Sequence, residues 1–305
     1  MAAPEITTEA LSDVARAILE GGVAALPRLV RDPADASTTG AETRVDARSR
    51  SENGLTLLHM LAVYGLVEPM RALVRQYGAE VNSVAGHGAT PLLAAVTAGH
   101  IDAAQLLLQE GARADVPATA DADVLHASPL LSATRNGNLA LVQLLAVARA
   151  RMDVRDPTGQ TPLLLAAADG HADVCDILLR FGASANDADA GGSTALMRAS
   201  ERGHVVAVRR LLGARADPTQ PRADGATAAL LAMQAGHAHV ARLLIAAADG
   251  AELPAEGAPA AAADDAELGR AVLQATLPDG AGGGEGATSE ELSAFASTLA
   301  KKRAH

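Results

Sequence analysis

The sequence predicts an all-α solenoid, a stack of helix–turn–helix units, on three observations. A hydroxyl residue recurs with a period near 33 residues, a glycine follows each hydroxyl residue nine positions later, and paired large apolar residues follow the glycine. The hydroxyl residues are Thr56, Thr90, Ser128, Thr161, Thr194 and Thr227, with spacings of 34, 38, 33, 33 and 33. The glycines are Gly65, Gly99, Gly137, Gly170, Gly203 and Gly236. A fixed period with a fixed internal offset indicates units that pack on their sequence neighbours.

Each recurring residue type has a physical role in such a unit. The hydroxyl can cap the free amides at the start of a helix, and proline follows it at Pro91, Pro129 and Pro162, where a missing N–H costs nothing. The glycine allows the left-handed residue that ends this first helix. A second helix then presents the apolar pairs, which are Leu73/Val74, Leu107/Leu108, Leu178/Leu179, Leu211/Leu212 and Leu244/Ile245.

The same pattern divides the chain into three regions. Residues 1–50 contain a degenerate N-terminal capping repeat over 8–31, followed by a polar insertion that we expect to be a loop. Residues 51–250 contain six regular repeats. Residues 251–305 contain a Pro/Ala/Glu linker and a tail with short helices, joined by a flexible glycine-rich tether over 279–287.

Three departures from the period are present, and two of them predict a change in structure. Arg149 replaces the second glycine of its unit. Gly213 directly follows a leucine pair, which predicts a shorter second helix there. Five extra residues over 116–127 predict an enlarged finger, the turn that leads into the next unit.

The unit TPLLLAAADGH, which begins at Thr161, resembles the ankyrin repeat and its T-P-L-H-x-A signature. The signature histidine occurs here only at His59, and the other regular copies have leucine or methionine. The resemblance implies an ankyrin-repeat solenoid of about seven units with β-turn fingers. It also implies that fingers and first helices form a concave groove, with the second helices on the convex back.

Candidate binding residues occupy the seventh and eighth positions after each hydroxyl residue, which vary between copies while the surrounding frame recurs. The resemblance implies that these positions face the groove, and Tyr and Arg are favoured interface anchors. The candidates are Val63, Tyr64, Thr97, Arg135, Asn136, Asp169, Glu201, Arg202 and Gln234, and the remaining members of these pairs are Ala98, Ala168 and Ala235. In the tail, Leu292, Phe295 and Leu299 form a stripe that could dock on a partner or back onto the solenoid.

Composition argues against several classes of function. A net charge of −11 disfavours binding to nucleic acid or to an anionic membrane, and no apolar run reaches the roughly 20 residues of a membrane span. The histidines after the glycines are one repeat apart, so we interpret them as structural and expect no metal or cofactor. Cys175 stands at a buried apolar position, and aspartates such as Asp187 and Asp189 are expected to be solvated turn residues.

The sequence therefore predicts a non-enzymatic scaffold or adaptor that binds a partner protein through the groove and the finger tips. One alternative is a dedicated chaperone or assembly factor for a single multi-subunit complex, and an enzyme is a remote second alternative. No signal peptide is apparent, so we expect a cytoplasmic protein, with the nucleus as the other compartment left open. We also expect the protein to be a monomer.

Overall fold

The computed structural model describes residues 5–31, 45–115 and 128–251, and their helices come in pairs. We number the pairs 1 to 7 in chain order. They are α1 (Thr8–Gly21) with α2 (Leu26–Leu29), α3 (Leu57–Tyr64) with α4 (Val67–Arg75), α5 (Pro91–Thr97) with α6 (Ile101–Gln109), α7 (Pro129–Arg135) with α8 (Leu139–Val147), α9 (Pro162–Ala168) with α10 (Ala172–Arg180), α11 (Ala195–Glu201) with α12 (Val205–Gly213), and α13 (Ala228–Gln234) with α14 (Ala238–Ala248). The predicted helical class is confirmed.

The chain forms two compact units that divide after Val154. In the N-terminal unit, which holds pairs 1 to 4, α3 packs against α5 and α5 packs against α7. In the C-terminal unit, which holds pairs 5 to 7, α9 packs against α11 and α11 packs against α13. First helices thus stack on first helices within each unit, as expected when each repeat buries its apolar face against its neighbours.

The recurring threonines cap their helices. The hydroxyl oxygens of Thr90, Thr161, Thr194 and Thr227 accept hydrogen bonds from the amides three residues later, at 3.2, 3.4, 3.3 and 3.4 Å. Each cap of this kind contributes about 1 kcal/mol to helix stability. Ser128 makes no side-chain cap, although α7 begins at the same position.

His59 joins pair 2 to pair 3 from a buried position. Its Nδ1 accepts a hydrogen bond from the Thr56 amide at 3.1 Å, so the ring proton is on Nε2, which donates to the carbonyl oxygen of Ala89 at 3.1 Å. The side chain is only 1% exposed. Burial lowers the pKa of His59 to about 4, because the charged imidazolium would lose its hydration.

The predicted shortening of α12 at Gly213 is wrong. Helix α12 has nine residues, as α10 does, and Gly213 is its last helical residue. The left-handed residue follows two positions later at Arg215, with φ of 63°. Gly182 takes this place after α10 and Arg149 takes it after α8, where φ is 62°. Tertiary stacking therefore sets the length of the helix, and arginine tolerates the left-handed conformation at a cost.

The segment expected to be a loop before the regular array contains two short strands. β1 (Glu5–Ile6) pairs in parallel with β4 (Arg50–Ser51), and β2 (Val30–Arg31) pairs in parallel with β3 (Val45–Asp46). Every second residue from Val45 to Ser51 is buried, the alternation of a strand with one covered face. Most side chains on the covered face are small Ala and Ser residues, so the sequence shows no clear alternation of apolar and polar residues. Tertiary contacts order the segment.

Two expectations concern residues outside the described ranges. These are the enlarged finger over 116–127 and the tail stripe of Leu292, Phe295 and Leu299. Among the helices that are described, none is both long enough and apolar enough to cross a membrane.

Replacing His59 with leucine, the residue at this position in most other copies, should remove a pH-dependent part of the stability. Because the folded pKa lies near 4 and the ordinary value is 6.5, the unfolded chain binds the proton first as the pH falls. The stabilisation from neutral His59 is complete above pH 6.5 and is lost between pH 6.5 and pH 4. Urea unfolding should show the wild-type advantage over His59→Leu shrinking by up to about 3 kcal/mol across this window. A difference that does not change with pH would contradict the assignment.

Replacing Arg149 with glycine should stabilise the N-terminal unit. The left-handed conformation costs a non-glycine residue about 1–2 kcal/mol, and the extra chain entropy of glycine offsets part of the gain. We expect a net stabilisation of about 0.5–1 kcal/mol in urea unfolding. The matched control, Gly182→Arg, should destabilise the protein, because Gly182 has φ of 96° at the equivalent position. Lower stability of Arg149→Gly would refute the argument.

Candidate functional site

The candidate binding residues lie where each first helix ends. Val63 and Tyr64, the last residues of α3, are 44% and 41% exposed. Most of the other predicted residues are exposed too, namely Thr97, Asn136, Asp169, Glu201, Arg202 and Gln234. Arg135 is half-buried, and Ala168 is buried at the end of α9. The seventh and eighth positions thus provide surface in every regular pair, although not at every residue.

A histidine from the following pair holds the end of the first helix in place. In the N-terminal unit, Gly65 has φ of 68°, and a Cβ atom there would lie 2.7 Å from the His100 ring. The Nε2 of His100 donates to the carbonyl oxygen of Val63 at 2.9 Å. Gly65 is therefore required both for its backbone angle and for the close approach of the ring.

The C-terminal unit repeats this contact. Gly170 has φ of 75°, and a Cβ atom there would lie 2.7 Å from the ring of His204. The Nε2 of His204 donates to the carbonyl oxygen of Ala168 at 3.0 Å. His100 and His204 therefore have the structural role that we predicted for the histidines after the glycines. In the described ranges, no group of three or more His, Cys, Asp or Glu side chains is placed to bind a metal ion.

In the N-terminal unit, large apolar side chains are exposed near the end of α3. Ile101 is 38% exposed, and it directly follows His100, whose ring contacts the end of α3. The Thr97 and Ser132 hydroxyl groups are 3.1 Å apart and link pair 3 to pair 4. Val63, Tyr64 and Ile101 therefore provide large apolar area at a fixed backbone position.

The surface of the C-terminal unit is ionic at the equivalent places. Arg202 Nη1 donates to the carbonyl oxygen of Ala168 at 2.8 Å and to Asp169 Oδ1 at 3.0 Å. The structure thus brings together two residues that the sequence predicted separately. Because this pair is largely exposed, it contributes little to stability but defines the position of both charges.

Asp189 is a buried carboxylate, not the solvated turn residue that we expected. It accepts hydrogen bonds from the amides of Gly191 and Ser193, both at 2.9 Å, and from Arg198 Nη2 at 2.6 Å. Burial by itself would raise the pKa of Asp189, but these hydrogen bonds and the charge of Arg198 outweigh burial and lower it. The sequence signal was present as an aspartate two residues before glycine, with an arginine on the next helix.

Arginines also hold the fingers of the C-terminal unit. Arg155 Nη1 donates to the carbonyl oxygens of Gly159 and Ala188 at 2.8 and 2.6 Å, which connects the fingers of pairs 5 and 6. In the finger of pair 7, the ion pair with Arg222 lowers the pKa of Asp224 to about 2. No sequence pattern marks these arginines, because their partners are carbonyl groups and turn carboxylates.

Cys175 has the environment of a core residue. Its side chain is fully buried in α10. Burial raises the pKa of the Cys175 thiol to about 12, so the thiol is protonated at neutral pH. A nucleophilic cysteine needs an accessible thiolate, and Cys175 provides neither the access nor the charge.

Comparisons with known proteins identify the same repeat. A family profile described as "Ankyrin repeats (3 copies)" matches residues 15–118 and 130–222. The crystal structure of the human ASB11 ankyrin repeat domain is 27% identical, with a TM-score of 0.61, covering 81% of this chain and 99% of that one. An ankyrin repeat domain from Acinetobacter baumannii AYE is 28% identical, with a TM-score of 0.58, covering 64% and 98%. A search of curated proteins gave no match.

The family profile and both solved structures are of ankyrin repeats, the repeat that the sequence resembles. The resemblance stated from the sequence is confirmed, and the profile matches more than half of the chain. The protein belongs to the ankyrin repeat family.

Proposed function

We propose that this protein is a non-enzymatic scaffold or adaptor that binds a partner protein through its fingers and the ends of its first helices. Ankyrin repeats are protein–protein interaction modules, and the family is typically non-enzymatic. The observation that carries the proposal is the exposure of Val63 and Tyr64 at a backbone position held by His100. A rigid surface binds with little loss of conformational entropy.

Tyr64 is the strongest single candidate for an interface anchor. Its side chain is 41% exposed at the last residue of α3, next to the exposed Val63. Tyrosine buries a large area on binding while ordering few rotatable bonds, which is why it is enriched among residues that dominate binding energy. The contact between Gly65 and His100 fixes the backbone next to Tyr64, so the backbone does not need to rearrange on binding.

The C-terminal unit would contribute orientation more than affinity. Arg202 and Asp169 are paired with each other, so a partner that uses either charge must compensate for the pair it disturbs. Exposed charges at an interface change association rates and partner choice more than they change affinity. We therefore propose an apolar contact on the N-terminal unit and a polar contact, chosen for specificity, on the C-terminal unit.

The double substitution Val63→Ser with Tyr64→Ala should remove partner binding without unfolding the protein. Both side chains are largely exposed, so the thermal midpoint should change little. Affinity purification of the full chain with mass spectrometry should recover a partner with the wild type and at least about tenfold less of it with the double variant.

A matched control separates this surface from apolar exposure in general. Val147, at the end of α8 in the same unit, is 66% exposed, and Val147→Ser should leave partner recovery unchanged. Equal recovery by all three proteins would overturn the proposed surface. Several partners would support a scaffold, whereas one stoichiometric complex would support the assembly-factor alternative. Sedimentation and cell fractionation of the same protein test the proposed monomeric, cytoplasmic state.

A further inference from the structure

Three large apolar residues occupy one equivalent position in consecutive pairs of the N-terminal unit. Val67, Ile101 and Leu139 are the first residues of α4, α6 and α8. Helix α6 packs against both α4 and α8, so the three residues follow one another along the stack. Ile101 and Leu139 are each 38% exposed, and Val67 is half-buried. We call these three residues the turn stripe, since each follows the turn between the two helices of its pair.

Packing within the repeat does not require large side chains at this position. In the C-terminal unit the first residues of α10, α12 and α14 are Ala172, Val205 and Ala238, and all three are half-buried. Alanine is therefore sufficient in two pairs, whereas the N-terminal unit places Ile101 and Leu139 in water. A partner that covers these side chains gains free energy in proportion to the apolar area removed from water. The turn stripe is therefore suited to binding.

The turn stripe continues the apolar surface at the end of α3. The ring of His100 contacts the carbonyl oxygen of Val63 at 2.9 Å, and Ile101 is the next residue after that ring. Val63 and Tyr64 are both exposed at this helix end. The apolar surface of the N-terminal unit thus runs from the end of α3 along the starts of the second helices.

Acidic side chains border the turn stripe. Glu68 directly follows Val67, Asp102 directly follows Ile101, and both are exposed. Arg71, on the same helix as Glu68, lies 3.5 Å from its carboxylate. Exposed carboxylates beside an apolar surface favour a partner that carries Lys or Arg next to its apolar side chains.

The spacing of the turn stripe matches the repeat of an α-helix. The axes of packed helices are about 8–10 Å apart, so successive stripe residues are separated by about that distance. Residues i and i+7 of an α-helix lie on one face and are about 10.5 Å apart along its axis. Side chains on one face of a β-strand recur about every 6.6 Å, which does not match.

Backbone hydrogen bonding favours the α-helix over a polyproline II ligand. A polyproline II helix has a suitable repeat of about 9.3 Å, but it forms no internal hydrogen bonds, so its backbone groups need partners when they are covered. The aliphatic side chains of the turn stripe provide no such partners. An α-helix satisfies its own backbone groups and can lie on an aliphatic surface without loss.

We propose that the turn stripe, together with the neighbouring Tyr64, binds an amphipathic α-helix of the partner protein that lies along the stack. Apolar side chains seven residues apart contact the stripe residues, and Lys or Arg residues beside them face Glu68 and Asp102. About 15 residues of helix span the three contacts. This inference rests on the proposed function, because it specifies the partner for the same surface.

Photo-crosslinking with the full chain tests the helix and its register. A photoreactive benzoylphenylalanine replaces Ile101 in one variant and Leu139 in a second, and mass spectrometry locates the labelled residues of the partner recovered by affinity purification. Both variants should label one partner segment, at sites about seven residues apart. Sites about three residues apart would indicate a polyproline II ligand, and sites in separate segments would indicate no continuous helix. Either result, or no label from these two variants, would overturn the proposal.

The same replacement at Val147 controls for labelling by any exposed position. Val147 is 66% exposed at the end of α8, away from the first residues of the second helices. The Val147 variant should not label the partner segment. Equal labelling from Val147 and Ile101 would show that the crosslinks do not report the turn stripe, and the proposal would be overturned.

Charge reversal tests the basic residues assigned to the partner. Asp102 and Asp173 are both exposed second residues of their helices, so lysine has the same unfavourable interaction with the helix N-terminus at each. Asp102→Lys should lower partner recovery about fivefold, whereas Asp173→Lys, beside Ala172, should leave it unchanged. Equal recovery with the two variants would contradict the assigned charge of the partner helix.

The experiments also separate this inference from the proposed function. Loss of the partner in the Val63→Ser and Tyr64→Ala double variant, without crosslinks from Ile101 and Leu139, would leave the proposed function in place and overturn the helix. Full recovery by the double variant would instead overturn the proposed function, and this inference with it.

Discussion

At three junctions between helix pairs, a histidine ring packs directly on a glycine of the preceding pair. The contact occurs between Gly65 and His100 in the N-terminal unit, and between Gly170 and His204 and between Gly203 and His237 in the C-terminal unit. In each case a Cβ atom on the glycine would lie within 2.7 Å of the ring. A side chain at any of these three glycines would force the histidine ring to shift, so the packing at these junctions depends on the contact.

The same contact fixes the backbone beside the variable positions. The ring nitrogen of His100 holds the carbonyl oxygen of Val63, and that of His204 holds the carbonyl oxygen of Ala168. The backbone is therefore fixed where the side chains are free to differ. Substitution at the exposed Tyr64 or Asp169 can therefore change the surface with little change in packing, since the stability of the array comes from buried residues.

The two units differ in the chemistry that they present at these positions. The N-terminal unit exposes Val63 and Tyr64, whereas the C-terminal unit exposes the Arg202–Asp169 pair and fingers held by Arg155 and Arg222. Hydrophobic area gives affinity, and fixed charge pairs give selectivity because a wrong partner leaves them uncompensated. The two surfaces thus differ in chemistry, and Cys175, buried with a raised pKa, offers no accessible thiolate.

The sequence by itself determined the class of fold, the position of each regular helix pair and the location of the exposed variable residues. These follow from local chemistry, since a threonine cap, a glycine stop and an apolar pair act within one repeat. Only the tertiary structure decided that Arg215 rather than Gly213 is left-handed, that Arg202 bonds to Asp169, and that Asp189 is buried against Arg198. It also decided that residues 45–51 add strands, because their partners lie at Glu5–Ile6 and Val30–Arg31. Each of these features depends on a partner, or on packing, that the local pattern does not contain.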